Sequence, residues 1–375
     1  MKKFLKILIA SLLLLVGVLV ALYFGMSYFS EDVELDDYSD LIPEKISVDG
    51  EKNGVELLKE FGRIYKTSEG FNERELVHFL RGEEFFFGSD ELIELLHVED
   101  YLSKNEEALE LINEMSDKDY FLSEGYLASD SLNTFSGVEI LGSLNYPFSK
   151  VFNLLNIKAL YDFKVNEDSD SAALAVVLID FIEKFSISTD SLLAAVISFD
   201  AFESSLNSLY FILGSPLPKL DEPYKKLLSE KINSLEIDTE NMCDQGMKFE
   251  MMYFIGSVDG VVDGDYSGYF VEKYWDEILI NSSYYFKPNL TKNGYFELMK
   301  MTFDKGELEF SDGIYYDERW SLLLYENSFG GVLMQMIYPN IGCWANAEQL
   351  EQKLKELKIL AAEYEEILEE EFLER

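Results

Sequence analysis

The chain has few of the residues on which common enzyme sites depend. It contains 375 residues but only two cysteines, Cys243 and Cys343, and two histidines, His78 and His97. A count of two cysteines disfavours a cysteine-based zinc site, and neither histidine belongs to the H-E-x-x-H pattern of zinc hydrolases. G-x-S-x-G, S-x-x-K, Walker and G-x-G-x-x-G motifs are also missing from the sequence. These absences favour a protein that is not an enzyme.

Basic residues are also scarce. The chain has 31 Lys and Arg residues against 71 Asp and Glu residues, which gives a formal net charge of −40. Nucleic-acid binding needs clusters of Lys and Arg, so nucleic acid is excluded as an expected partner. Hydrophobic residues make up 48% and aromatic residues 14% of the chain, which is unlike a disordered protein. The charge is typical of a soluble, self-repelling body, and a body that attracts cations is the alternative.

The one long uncharged run lies at the N-terminus. Lys2, Lys3 and Lys6 precede the run Ile7 to Ser30, and an acidic segment follows it. At about 1.5 Å per residue the run reaches roughly 36 Å, enough to cross a hydrocarbon core of about 30 Å. The run is too long for a typical secretory signal, although Gly25-Met26-Ser27 leaves cleavage as the alternative. The sequence therefore predicts a single-pass anchor that contacts the bilayer through residues 7–30.

The flanking charges predict the orientation of this anchor. Lysines before the span and acidic residues after it place the N-terminus in the cytoplasm. The rest of the chain is then extracytoplasmic, which favours localisation at the cytoplasmic membrane with most of the protein outside.

The scarcity of proline, seven residues in all, together with helical spacing of apolar residues predicts an all-α fold. We expect a transmembrane helix followed by an irregular multi-helix array or bundle, with one small β-hairpin over Glu307–Tyr316. Near-continuous apolarity over residues 172–185 and 192–213 predicts central helices. The predicted division is an anchor over 1–30, an acidic linker over 31–50, and helical subdomains over 51–214 and 215–375. The last boundary rests on a break that contains Gly214, Pro216, Pro218 and Pro223.

Four short segments resemble a known class of protein. They are Asp36–Pro43 (DDYSDLIP), Glu51–Gly54 (EKNG), Lys287–Thr291 (KPNLT) and Glu326–Gly331 (ENSFGG). With the basic start and single span, they make the chain similar to single-span, α-helical bacterial envelope proteins that have no named activity. The resemblance implies a bacterial inner-membrane location and helicity, and it transfers no catalytic residue.

A glycine- and aspartate-rich stretch is the candidate metal site. Asp263, Asp265 and Ser267 occupy positions 1, 3 and 5 of an EF-hand-like loop, where calcium takes carboxylate and carbonyl oxygens. Position 12, which normally supplies a bidentate acid, is Tyr274 instead. The alternative is an acidic turn between two helices in which Gly and Asp serve backbone geometry. No other cofactor is expected.

The two cysteines have two interpretations. In an oxidising compartment Cys243 and Cys343 would form one disulfide, which on the chain-entropy account stabilises by roughly 4–5 kcal/mol. The alternative is two separate buried thiols.

Three functions are compatible with the sequence. The first is a membrane-anchored extracytoplasmic scaffold or protein-binding module with an envelope protein as partner, and no small-molecule substrate is inferred. The second is a hydrolase that acts on envelope polymers through carboxylates. The third is a calcium-tuned adhesion or assembly factor that uses the Asp259–Asp265 stretch.

Overall fold

The structure, a computed structural model, is predominantly helical, which confirms the all-α prediction. Within the residues it describes there is no strand, only an isolated parallel bridge between Asn53 and Tyr120. The structure describes residues 14–18, 20, 34–37, 49–67, 73–82, 91–122, 138–166, 170–188, 192–214, 222–263, 288–305 and 342–374.

The helices include both central helices predicted from near-continuous apolarity over residues 172–185 and 192–213. They are α1 (Val55–Ile64), α2 (Glu73–Arg81), α3 (Glu91–Lys104), α4 (Glu106–Ser116), α5 (Val138–Tyr161), α6 (Asp170–Ser186), α7 (Leu192–Gly214), α8 (Glu222–Ser234), α9 (Thr239–Asp263), α10 (Pro288–Lys305) and α11 (Gly342–Glu374). A 3₁₀ turn over Gly50–Lys52 precedes α1, and a π-helical segment over Asp162–Asn166 extends α5.

The chain divides into two compact units. Unit 1 comprises residues 1–42 and 251–339, and unit 2 comprises residues 43–250 and 340–375. The division predicted from sequence, between residues 214 and 215, stays a prediction. In the structure α7 ends at Gly214 and α8 begins at Glu222, and both helices belong to unit 2.

The core of unit 2 is organised around α5. This helix contacts α1, α2, α6 and α7, and α7 in turn contacts α11. Phe148, Phe152, Phe185 and Phe202 form an edge-to-face cluster with ring centroids 4.4–6.2 Å apart, a favoured aromatic geometry. Each ring is at most 7% exposed, and burial of one such ring stabilises by about 1.5–3 kcal/mol.

Pro147 joins α1 and α5. Proline is favoured in the first turn of a helix, but α5 begins at Val138 and Pro147 lies inside it. Its ring packs against Gly62 of α1, where an added Cβ would lie 2.7 Å from the proline Cγ. Gly62 has no side chain because the two helices approach too closely for one.

Unit 1 contains the second half of α9 and the whole of α10. An acidic turn between two helices, one interpretation of the glycine- and aspartate-rich stretch, predicts a break near Gly256 and Gly260, but α9 continues through Asp263. The rings of Phe254 and Tyr295 stack with centroids 3.8 Å apart, and Lys292 pairs with Asp259. Contacts made by α10 thus accompany the extension of α9 beyond the expected break.

Much of the predicted anchor lies outside the described residues. Residues 14–18 and Val20 are helical, and their large apolar side chains are 47–72% exposed. Among the described helices, none is both long enough and apolar enough to cross a bilayer. The predicted hairpin over Glu307–Tyr316 lies outside the described residues as well.

Candidate functional site

The most distinctive chemical cluster is a buried polar network in unit 2. The Tyr65 hydroxyl donates to Glu73 Oε1 at 2.8 Å and lies 2.8 Å from the Tyr101 hydroxyl. Lys150 Nζ donates to Glu73 Oε2 at 3.0 Å. The Glu73 and Lys150 side chains are 8% and 14% exposed. The Glu73 carboxylate of α2 therefore binds α5 and the residue after α1 directly, and Tyr65 extends the network to Tyr101 of α3.

Glu73 is held in its ionised form. Burial alone would raise the pKa of its carboxyl, but hydrogen bonds from Lys150 and Tyr65 outweigh burial, so the pKa lies below its ordinary value. A general acid at neutral pH needs the opposite change, a raised pKa. Glu73 is therefore suited to binding the Lys150 ammonium group and not to donating a proton.

Tyr65 is held in its neutral form. Burial, followed by the adjacent Tyr101 and Glu73, raises the pKa of the phenol far above its usual range. The hydroxyl therefore stays protonated and continues to donate to Glu73. With each polar group bonded to another, the network is a junction between helices.

An asparagine fixes the edge of this network. Asn105 is 1% exposed. Its side chain accepts from the backbone N–H of Lys66 at 2.9 Å and donates to the carbonyls of Lys66 and Tyr101. These bonds tie the chain after α1 to the end of α3, and so they position Tyr65 and Tyr101.

A second cluster of carboxyl groups lies between α6 and α8. Asp180 accepts a hydrogen bond from Lys231 Nζ at 2.8 Å. Glu183, half-buried one turn later, has a raised pKa, because burial disfavours its charge and Asp180 and Glu236 repel it. Asp180 is thus an ion-paired carboxylate, and Glu183 beside it retains its proton more readily. Acid–base catalysis uses pairs of carboxyl groups that differ in this way.

The two cysteines meet in unit 2. Cys243 of α9 and Cys343 of α11 form a disulfide, with Cα atoms 5.9 Å apart and a sequence separation of 100. Both residues are 0% exposed. The bond connects the N-terminal parts of the two helices, and a hydrogen bond from Thr239 Oγ1 to Glu351 at 2.6 Å reinforces the connection.

The predicted calcium residues are only partly described. Asp263 is the last residue of α9, while Asp265 and Ser267 lie outside the described residues. Asp259 is helical and paired with Lys292. Within the described ranges no group of three or more His, Cys, Asp or Glu side chains is arranged to hold a metal ion. The calcium site stays a prediction.

The two histidines lie in α2 and α3. His78 is in α2, where its ring Nδ1 lies 3.2 Å from Arg81 Nη2, and His97 is in α3. Sequence reasoning named both, but it did not single out Tyr65, Glu73 or Lys150. A glutamate on a helix indicates a buried ion pair only when its partner is known. The partner of Glu73, Lys150, is 77 residues away in sequence, so no local pattern reveals the pair.

Comparisons with known proteins give no further assignment. Family models, curated proteins and solved structures all yield no match to this chain.

Proposed function

We propose that the protein is a membrane-anchored, extracytoplasmic helical scaffold that binds another envelope protein. The buried disulfide is the observation that carries this proposal. Disulfides persist in oxidising compartments outside the cytoplasm and are rare inside it. A disulfide between Cys243 and Cys343 therefore agrees with the extracytoplasmic orientation that the N-terminal lysines predict.

The apolar residues near the N-terminus support the anchor. Leu14 is 72% exposed and Leu15 55% exposed on a helical segment. Consecutive exposed apolar residues on a helix are suited to a hydrocarbon environment. This exposure supports the proposal that residues 7–30 form a single span of a bacterial inner membrane.

The polar network supports a scaffold over an enzyme. Glu73, Lys150 and Tyr65 satisfy one another in the interior of unit 2. Groups that are hydrogen-bonded to one another in this way hold helices in place and are not arranged to transfer a proton to a substrate. The net charge of −40 favours a partner with a basic surface, because complementary charge increases association rate and specificity.

Location and partner are tested in intact cells. Alkaline extraction should leave the full chain in the membrane fraction, and external protease should digest the body. Thiol alkylation of the denatured protein should label Cys243 and Cys343 only after reduction, with Cys243→Ser as the control that leaves one thiol free. A body that resists external protease and is labelled without reduction would overturn the location.

The partner is tested by crosslinking. A photo-crosslinker replaces Glu110, on the exposed acidic face of α4, and in a matched strain it replaces exposed Lys355 of α11. We expect a specific envelope protein to be captured from at least one position. Failure to capture a specific protein from either position would count against the binding function.

A hydrolase is the second candidate, favoured by Asp180 and Glu183. If it is correct, Glu183→Gln should abolish cleavage of isolated envelope polymers by the purified protein while its melting temperature changes little. Equal rates of cleavage in the wild type, in Glu183→Gln and without protein would remove this candidate.

A further inference from the structure

A short non-helical segment of unit 1 is hydrogen-bonded to one side chain of α10. Residues Glu34–Asp37 have no helical structure, and Asn293 of α10 bonds to their backbone on both sides of Leu35. Asn293 Nδ2 donates to the Glu34 carbonyl at 2.8 Å, and the Asp36 N–H donates to Asn293 Oδ1 at 3.0 Å. One amide therefore provides the donor and the acceptor that a neighbouring parallel strand would provide.

Asn293 projects from a helix that is itself fixed. The residue before it, Lys292, is 7% exposed and pairs with Asp259 of α9. Tyr295, two residues later, is 0% exposed and stacks on Phe254 of the same helix. Because these neighbours are buried against α9, the amide of Asn293 has a defined position in unit 1.

Chain length limits how far this position can be from the membrane. The uncharged run ends at Ser30, and Glu34 follows four residues later. A fully extended chain spans at most about 3.6 Å per residue, so Glu34 lies within roughly 14 Å of the end of the run.

We propose that Asn293 clamps the segment that leaves the membrane and thereby holds the first turns of α10 at the lipid headgroup surface. The second half of this inference rests on the anchor proposed above. Glu34 and Asp36 are exposed beside the clamp, and their negative charge is repelled by anionic lipid. A zwitterionic headgroup surface is therefore the partner that this end of unit 1 fits.

The clamp is tested by hydrogen exchange of the full chain in phosphatidylcholine nanodiscs. Asn293→Leu removes both bonds, so the amide of Asp36 should exchange about tenfold faster, since two hydrogen bonds are worth of the order of 1.4 kcal/mol or more. Asn113→Leu, at an exposed position of α4, is the matched control and should leave this amide unchanged. Equal exchange in the wild type and Asn293→Leu, with equal circular dichroism, would overturn the clamp.

The membrane position is tested by quenching. A fluorophore on Glu297→Cys, exposed one turn after Asn293, should be quenched by nitroxide on the lipid headgroup, and addition of Asn293→Leu should reduce the quenching. A slow Asp36 amide without quenching would overturn the headgroup placement while the clamp stands. Loss of the chain from the membrane fraction would instead contradict the anchor, so the two failures are distinguishable.

Discussion

The first helices of unit 2 and its last helix are attached to the core by different chemistry. Around α1, α2, α3 and α5 the attachment is a buried network centred on Glu73, which depends on the ionisation of one carboxylate. The last helix, α11, is attached by a disulfide to α9 and by a stripe of buried residues to α7 and α8. The first attachment therefore responds to pH and the second to redox conditions.

This contrast follows from where each helix lies in the chain. Glu73 and Lys150 are 77 residues apart, and their helices share a large aromatic core. Because this core already holds the two helices together, the polar network is needed only to fix how α2 and α5 are aligned. The last helix joins the body after a long intervening segment. A covalent bond across 100 residues removes much of the freedom that such a loop has in the unfolded chain.

Removal of the disulfide should have the largest effect. Cys343→Ser should lower the free energy of unfolding by about 4–5 kcal/mol on the chain-entropy account. Denaturant titration of the full chain in detergent, without reductant, measures this loss. Reduced wild type should match the variant, and the loss should be the same at pH 4 and pH 7. A loss of unfolding free energy that occurred only at low pH would contradict the view that the attachment of α11 depends on redox conditions and not on pH.

Removal of the lysine from the network should have the next largest effect. Lys150→Met leaves the Glu73 carboxylate buried without its ammonium partner, which costs about 3–5 kcal/mol. Thermal or denaturant unfolding at pH 7 measures the change. Lys59→Met is the matched control, because the pair of Lys59 with Glu56 is exposed and contributes less than about 1 kcal/mol. Equal losses in the two variants would show that the network adds nothing to stability.

Neutralisation of the carboxylate should have a smaller, pH-dependent effect. Glu73→Gln should cost about 2 kcal/mol at neutral pH, since it removes charged hydrogen bonds. The folded pKa of Glu73 is lowered from its ordinary value of 4.5. Its contribution is therefore complete above about pH 4.5 and is lost as the pH falls through the folded pKa.

The measurement for Glu73 is the difference in unfolding free energy between the wild type and Glu73→Gln from pH 3 to pH 8. This difference should be constant above pH 5 and should shrink at lower pH. A difference that grows on acidification would contradict the assigned direction.

The smallest expected effect comes from the contact between α1 and α5. Gly62→Ala places a Cβ 2.7 Å from Pro147 Cγ. Such overpacking costs about 1–3 kcal/mol, and the higher helix propensity of Ala offsets about 1 kcal/mol of it. Gly50→Ala is the control, because an added Cβ there meets nothing within 4 Å. Thermal melts should show the loss at Gly62 alone, at pH 4 as at pH 7. A dependence on pH would mean that Gly62 acts through the network.

The existence of most helices could be predicted because their signals are local. The apolar face of Val55–Ile64 and the long apolar runs of α6 and α7 appear in the structure close to their predicted bounds. The extension of α9 could not be predicted, because glycine and aspartate favour turns in isolation. Its last turns carry Val258 and Asp259, and Lys292, which pairs with Asp259, lies 33 residues further along the chain.

The candidate network could not be predicted from the sequence either, because its partners are far apart along the chain. The chain has 71 acidic residues, and nothing in the local pattern distinguishes Glu73 from exposed neighbours such as Glu75. Only the approach of α5 to α2, driven by burial of apolar residues on both helices, brings Lys150 to this one carboxylate.

The sequence by itself determined the helical class, the charge of the body and the apolar run of residues 7–30, since these depend on composition and on periodicity within one helix. The tertiary structure alone decided that Lys150 becomes the ammonium partner of Glu73, that Asn293 holds the chain at Glu34 and Asp36, and that unit 2 includes the last helix. Each of these depends on residues far apart in sequence, whose distance is set by packing and not by local preference.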